Sequence, residues 1–150
     1  MSIELAREVL SIEVAGIRAV RDRMGDEFER AVDLIMACPS RLVITGIGKS
    51  GLVGQKISAT LNSTGTPSFF LHPVEAMHGD LGMVSPDDII LVLSNSGETD
   101  ELIEILPTLK SLGTRIISFT GNPESTLGRH SDLTIHAGVE REACPLGLTP

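Results

Sequence analysis

Hydroxyl, amide and glycine residues follow one apolar run of the chain, at the point where a buried strand would end. Ile89–Leu93 is apolar and β-branched and predicts such a strand in a parallel sheet, and Ser94-Asn95-Ser96-Gly97-Glu98-Thr99 comes directly after it. Thr99 can cap a helix, and the carboxylates of Glu98, Asp100 and Glu101 favour its first turn. Hydroxyls and backbone N–H groups at a helix N-terminus can hold a phosphate monoester. The alternative interpretation is a plain strand-to-helix turn with a serine cap.

A glycine turn, Thr45-Gly46-Ile47-Gly48-Lys49-Ser50-Gly51, follows an earlier strand-like run and has features of two nucleotide-binding motifs. Its glycines fit the dinucleotide fingerprint G-x-G-x-x-G, but that fingerprint needs an acidic residue at the end of the second strand. The first carboxylate after that strand is Glu75, which already lies in the next helical segment. A P-loop would need a glycine at the position of Val43, inside the strand. The sequence therefore disfavours a nicotinamide cofactor and a wrapped triphosphate, and we expect no cofactor.

Lys49 is a candidate ligand contact because of its position. It is one of three lysines in a chain whose formal net charge is −8, and it stands in the glycine turn at a strand's carboxyl end. Together with the backbone N–H groups of the turn, an ammonium group there can bind one phosphate or stabilise an enediolate oxygen.

Two further clusters carry acid–base groups. His78-Gly79-Asp80-Leu81-Gly82 places an imidazole near a carboxylate in a glycine-rich segment, and histidine can act as an acid or a base near neutral pH. His72 stands six residues earlier, but a metal site at His72 and His78 is disfavoured because no third ligand has the required spacing. Glu142, within 140–147, is a candidate general acid or base, although a solvated charge run fits the same spacing equally well.

Composition limits the classes of partner. The 150 residues are 3% aromatic, with no Trp or Tyr, so little is available to stack on nucleic-acid bases. The negative net charge disfavours nucleic acid and anionic membrane surfaces as partners. The sequence shows no membrane-spanning apolar run and no signal-peptide pattern at its N-terminus. Cys38 and Cys144 have neither metal-ligand spacing nor disulfide-framework density, so we expect buried thiols in a cytoplasmic protein.

Strand-like and helical runs alternate along most of the chain. Strands are predicted at 41–45, 68–71, 89–93, 115–119 and 133–136, and helices at 49–63, 73–79, 99–112 and 124–130. The alternation predicts right-handed βαβ units and therefore a single α/β domain with a doubly wound, five-stranded parallel sheet.

The segment 2–37 lacks proline and predicts one long N-terminal helix. One apolar row recurs every seven residues along it, and a second row lies beside the first. The rows are Ile3, Leu10, Ile17, Met24 and Ala31, and then Val14, Phe28 and Ile35. They predict packing against a partner helix, which another subunit could supply; the alternative is that the same stripe docks on its own sheet.

Five segments together resemble the sugar isomerase (SIS) domain of the D-arabinose-5-phosphate isomerase family. They are Thr45–Gly51, Ser63–Pro67, His72-Pro73 with His78–Met83, Ser94–Thr99 and Glu142–Gly147, and the resemblance runs from about residue 40 to the end of the sequence. Many SIS domains that bind sugar phosphates share the Ser-Asn-Ser-Gly turn. The His-Gly-Asp-Leu-Gly and Glu-Ala-Cys-Pro-Leu-Gly segments are more specific to this isomerase branch.

The resemblance implies a flavodoxin-like α/β/α sandwich, usually tetrameric, that interconverts D-ribulose 5-phosphate and D-arabinose 5-phosphate. The reaction passes through a cis-enediol without a redox cofactor and supplies the octulosonate sugar of lipopolysaccharide or capsule in Gram-negative bacteria. Carried over to this chain, the substrate-binding residues are Gly48, Ser50, Ser94, Asn95, Ser96 and Thr99. The catalytic residues carried over are Lys49, His78, Glu101 and Glu142.

The typical family member continues past the position of Pro150 with another helix, a further catalytic histidine and usually two CBS modules. We therefore expect residues 1–150 to be one SIS domain, truncated at its C-terminus, that folds and keeps some affinity for sugar phosphates but turns over poorly. Two alternatives remain open. One is a non-catalytic SIS module that senses a phosphosugar, and the other is an isomerase of a different phosphosugar.

Overall fold

A five-stranded parallel sheet forms the centre of the protein in the computed structural model, which describes residues 2–144. The strands are β1 Leu42–Gly46, β2 Ser68–Phe70, β3 Ile89–Leu93, β4 Arg115–Thr120 and β5 Leu133–His136. The helices are α1 Ser2–Arg23, α2 Asp26–Met36, α3 Gly48–Ser63, α4 Pro73–Met77, α5 Asp100–Ser111 and α6 Thr126–His130, with a 3-10 helix at Asp80–Met83. The strand order is β2-β1-β3-β4-β5 and every neighbouring pair is parallel. The predicted α/β class and parallel sheet are confirmed.

The sheet is covered on both faces, which explains why its central strands are apolar without alternation. On one face, Val43 and Ile90 pack against α5, where Leu102 and Leu106 are buried. On the other face, the buried residues of β1 and β3 pack with the buried Ala31 of α2 and with apolar residues of α3. The result is the three-layer sandwich that the family resemblance implied.

The prediction of a single helix over 2–37 is wrong, because the helix breaks at Met24 and Gly25. Gly25 has extended backbone angles, φ −120° and ψ −160°, and stands as the N-cap of α2. Its N–H donates to Glu27 Oε1 at 3.2 Å, so a side chain replaces the helical acceptor that continuation of α1 would have supplied. Glycine at this position makes the break inexpensive, since it has the lowest helix propensity apart from proline.

The break divides the apolar rows between two environments. In α2 the row docks on the sheet of its own chain through Ala31. In α1 no residue is buried, and Leu10 and Ile17 are 60% and 70% exposed. The docking alternative therefore holds for α2 and leaves the apolar side of α1 uncovered.

The N-terminal helix α1 is attached to the rest of the protein through the segment after β5. Arg23 donates to the carbonyl oxygens of His136 and Gly138, and Arg141 lies 3.5 Å from Glu8. Gly16 lies against Val139, where an added Cβ would come within 3.0 Å of its Cγ1 atom.

Two smaller sequence expectations have definite outcomes. Cys38 and Cys144 are both half-buried rather than fully buried as predicted. Within residues 2–144, no helix has the length and apolar character needed to cross a membrane.

Candidate functional site

The strand order reverses between β1 and β3, so the carboxyl edge of these two strands is the topological switch point of the sheet. The chain leaves β1 for α3 on one face and leaves β3 for α5 on the other, and parallel sheets bind ligands at such a point. Gly46 is paired with Leu93, so the glycine turn and the Ser94–Thr99 turn start level with each other. The two segments predicted to bind substrate therefore begin at the same position in the fold.

The glycine turn is explained by close packing between α3 and the sheet. A Cβ on Gly51 would lie 2.8 Å from the carbonyl oxygen of Gly46, and a Cβ on Gly54 would lie 3.1 Å from Ile44 Cγ2. Gly48 has a left-handed φ of +58°, which favours glycine. The dinucleotide-like spacing thus has a structural cause that requires no nucleotide.

Lys49 and Ser50 lie in the first turn of α3, where backbone N–H groups have no acceptor inside the helix. Lys49 is exposed. Its ammonium group makes no ion pair or hydrogen bond to any other residue in the part of the chain that the structure describes. An unpaired cation at the carboxyl edge is consistent with the predicted role as a ligand contact.

The turn that follows β3 is organised by its own hydroxyl groups. Ser94 is 4% exposed, and its Oγ lies 2.9 Å from Thr99 Oγ1 and accepts a hydrogen bond from Gly97 N at 3.1 Å. Ser96 is exposed and its Oγ accepts from Glu98 N at 3.2 Å. Thr99 stands at the N-cap of α5 as predicted, but its side chain pairs with Ser94 instead of capping the helix. The first amides of α5 are therefore left without a side-chain cap.

The loop after β4 holds the backbone of this turn in place through hydrogen bonds. The carbonyl oxygen of Asn95 accepts hydrogen bonds from Gly121 N at 2.8 Å and from Thr120 Oγ1 at 3.3 Å. The Asn95 side chain is exposed. Its backbone is thus fixed while its amide group remains available to a ligand.

The two histidines have different surroundings. His72 is the N-cap of α4, and its Nδ1 accepts a hydrogen bond from Val74 N at 3.3 Å, so it has a structural function. His78 follows α4 as its C-cap and is exposed. Among residues 2–144, no group of three His, Cys, Asp or Glu side chains is placed to hold a metal ion.

The two predicted catalytic glutamates lie in different places. Glu101 is half-buried in the first turn of α5, directly after the Ser94–Thr99 turn. Glu142 lines a groove of about 840 Å³ between α1 and 137–144, and Ile17 and Val139 line the same groove. None of the other predicted site residues lines this groove. Within the described residues Glu142 is therefore not grouped with them, and its catalytic role remains a prediction. The end of the predicted 142–147 segment, from Pro145 onward, lies outside the described residues.

Sequence reasoning missed Glu98 as a residue with a tertiary partner. It predicted only that this carboxylate would favour the first turn of α5, whereas Glu98 Oε1 accepts a hydrogen bond from Thr126 N, 28 residues later. No local sequence pattern predicts the contact between Glu98 and Thr126, because the contact depends on the pairing of β3 with β4.

Several known proteins are similar to this chain over nearly its whole length. A family model described as the SIS domain matches residues 35–149. The "Probable arabinose 5-phosphate isomerase" of Haemophilus influenzae is 53% identical over 148 residues, which are 99% of this chain and 44% of that protein. An arabinose 5-phosphate isomerase of Pseudomonas aeruginosa is 50% identical over 148 residues, 99% of this chain and 45% of that protein.

A solved structure agrees with the fold. An E. coli CFT073 protein in complex with arabinose 5-phosphate superposes with a TM-score of 0.93 at 43% identity, covering 99% of this chain and 79% of that chain. The chain spans less than half the length of the two curated relatives, at 44% and 45%.

Proposed function

The chain belongs to the SIS domain family, and from that membership we propose that it carries the sugar-phosphate site of an isomerase that interconverts D-ribulose 5-phosphate and D-arabinose 5-phosphate. One observation carries the proposal. A hydroxyl-rich turn and a lysine-bearing glycine turn begin level at one sheet edge, in a chain 53% and 50% identical to two proteins named as arabinose 5-phosphate isomerases.

Binding is proposed to begin with the phosphate group. Ser96 and Thr99 flank the start of α5, whose first amides lack a side-chain cap and can donate to phosphate oxygens. Ser94 is proposed to hold the turn in shape and to share in the contact. Gly48 and Ser50, in the first turn of α3, are proposed to contact the substrate from the other side of the topological switch point.

The chemical step is a proton transfer that needs no oxidant. In the direction of D-arabinose 5-phosphate, a base removes a proton from C1 of the ketose and O2 gains a proton, which gives the cis-enediol. O1 then loses a proton and C2 gains one, which gives the aldose. Lys49 is proposed to stabilise negative charge on the enediolate, while His78, Glu101 and Glu142 assist proton transfer and, in the reverse direction, opening of the D-arabinose 5-phosphate ring.

We also propose a cytoplasmic homo-oligomer, a tetramer, assembled through α1. The support is the apolar row of this helix, which is exposed at Ile3, Leu10 and Ile17. A helix that buries none of its residues gains little stability from its own chain, and a partner helix would cover the row. The proposed metabolic role is supply of an octulosonate sugar for lipopolysaccharide or capsule.

Isotope labelling tests the proposed reaction. D-Ribulose 5-phosphate is incubated in D2O with the chain and with a longer version of it, because the chain spans less than half the length of the curated relatives. NMR should show D-arabinose 5-phosphate with deuterium at C2, since the enediol takes its new proton from a group that exchanges with solvent. Other ketose and aldose phosphates serve as controls. Turnover of a different pair alone would reassign the substrate, and binding without any turnover would favour a phosphosugar sensor.

A further inference from the structure

We infer that Glu98 is a positioning residue whose carboxylate clamps the Ser94–Thr99 turn to α6 and so holds the turn in the shape that receives a phosphate group. The inference rests on the proposed function, which assigns phosphate binding to this turn. Glu98 is placed to act through the backbone of the turn and not by touching the ligand.

The first part of the clamp is the hydrogen bond from Thr126 N to Glu98 Oε1, 2.7 Å long. Thr126 begins α6, and the first amides of a helix have no acceptor within it. Ser125, the N-cap residue, satisfies a different amide by accepting from Gly128 N at 3.2 Å. Glu98 therefore completes the cap of α6 from a segment that belongs to the candidate site.

The second part of the clamp is made by the backbone. Leu127 N donates to the carbonyl oxygen of Gly97 at 3.0 Å. Gly97 has a left-handed φ of +67°, and a Cβ added to it would lie only 2.0 Å from Ser125 Oγ. The turn and the start of α6 thus touch so closely that only glycine fits between them.

The clamp is connected to the predicted phosphate ligands by two further hydrogen bonds. Gly97 N donates to Ser94 Oγ at 3.1 Å, and Glu98 N donates to Ser96 Oγ at 3.2 Å. Movement of Gly97 away from α6 would therefore disturb the Ser94 hydroxyl, and movement of Glu98 would disturb the Ser96 hydroxyl. Asn95, Ser96 and Glu98 are exposed, so burial contributes little to the order of these three residues.

Charge supports the geometry. The hydrogen bonds from Thr126 lower the pKa of Glu98, and the nearby Arg129 guanidinium lowers it further, so the carboxylate is ionised at neutral pH. A hydrogen bond to an ionised acceptor is stronger than one between neutral groups. The same hydrogen bond pairs the negative charge of Glu98, which would otherwise be unpaired near a bound phosphate.

Three variants test the clamp by calorimetric titration with D-arabinose 5-phosphate. Glu98→Ala should weaken binding about tenfold at unchanged stoichiometry, because it removes a hydrogen bond to a charged group. Glu98→Gln should lose less than about threefold, since its amide oxygen can still accept from Thr126 N. Glu124→Ala removes the same charge from the neighbouring loop and should bind as the unaltered chain does.

Hydrogen exchange gives a readout that needs no ligand. The amides of Gly97 and Thr126 should exchange faster in Glu98→Ala than in Glu124→Ala. Faster exchange supports the clamp even if the unaltered chain binds no D-arabinose 5-phosphate, a result that would refute the proposed function alone. Unchanged exchange, unchanged affinity in Glu98→Ala, or an equal loss in Glu98→Gln would each overturn the inference.

Discussion

Ser94 and Ser96 stand two residues apart in one turn, yet their hydroxyl groups have different surroundings. The Ser94 hydroxyl is buried and organises the turn through Gly97 and Thr99, whereas the Ser96 hydroxyl is exposed. Residues that shape a binding turn and residues that face the ligand both contribute to affinity, since the first group lowers the cost of ordering the site.

Replacing both serines by alanine should weaken sugar-phosphate binding by about 1–3 kcal/mol while the protein stays folded. The measurement is calorimetric titration, with circular dichroism to check the fold. Ser111→Ala, at the far end of α5 and exposed, is the matched control and should leave affinity unchanged. Unaltered affinity in the double variant would remove the turn from the binding site.

If the proposed isomerase reaction holds, Lys49→Met should lower kcat more than it raises KM, because negative charge on the enediolate develops mainly in the transition state. Steady-state kinetics give both constants. Lys56→Met provides the comparison, since Lys56 is exposed on the same helix and donates to Thr60 Oγ1 at 2.7 Å. A change in KM alone would make Lys49 a phosphate anchor.

Thr45 has the one buried side-chain polar atom without a hydrogen-bond partner in residues 2–144, and the residue is 1% exposed. Because an unpaired buried hydroxyl is costly, Thr45→Val should raise the free energy of unfolding by about 1 kcal/mol. Thr120→Val should lower the free energy of unfolding, because Thr120 Oγ1 accepts a hydrogen bond from Asn122 N and donates one to Asn95 O. Urea denaturation measures both, and destabilisation by Thr45→Val would mean that its hydroxyl has a partner.

At the scale of elements, the amino ends of neighbouring strands are joined by a buried carboxylate. The Asp88 side chain has 0% exposure, and it accepts hydrogen bonds from Ser40 Oγ at 2.6 Å and from Ser85 N at 2.8 Å. It also receives the backbone N–H and the guanidinium of Arg41, each at 3.2 Å, just before β1. Burial raises the pKa of Asp88, but these hydrogen bonds outweigh burial and hold the pKa below its usual value.

Asp88→Asn should therefore lower the free energy of unfolding by about 2–3 kcal/mol at pH 7. A carboxyl whose folded pKa is depressed stabilises the protein above its unfolded pKa, and that contribution disappears as pH falls through the folded pKa. The difference between the variant and the unaltered chain should shrink below about pH 4. Urea titrations at several pH values measure the difference in the free energy of unfolding, and Asp87→Asn, at an exposed position, is the control. A difference that does not change with pH would contradict a depressed pKa for Asp88.

At the scale of the whole molecule, α1 extends from the sandwich with its apolar row uncovered. It is held mainly at its end, through Arg23, and along one side by Val139. Contiguous exposed apolar surface on a helix of 22 residues is typical of a protein–protein contact.

Charges placed in this row should dissociate the proposed oligomer. Leu10→Glu combined with Ile17→Glu should reduce the mass measured by sedimentation, because burying two carboxylates in an apolar contact is unfavourable. Ala19→Glu, on the opposite side of α1, adds charge without entering the row and should keep the mass of the unaltered chain. An identical mass for all three proteins would place the contact elsewhere.

Local patterns determined much of this protein. The five strands and the positions of the Gly48–Ser50 and Ser94–Thr99 turns follow from apolar runs and turn residues, because parallel strands covered on both faces must be apolar and must end in polar turns. That both turns lie at the carboxyl edge of the sheet also follows, because parallel strands all end at the same edge. Their level start depends in addition on the register of β1 with β3.

Tertiary structure decided the rest, because contacts between distant segments leave no periodic trace in a sequence. The break at Gly25 depends on α2 docking against the sheet while α1 leaves it. The bond between Glu98 and Thr126 exists because β3 and β4 are neighbours, which brings the loops that follow them together. Glu142 lies in a groove against α1 for the same kind of reason: its place is set by how the segment after β5 packs, and its own sequence neighbourhood carries no information about that.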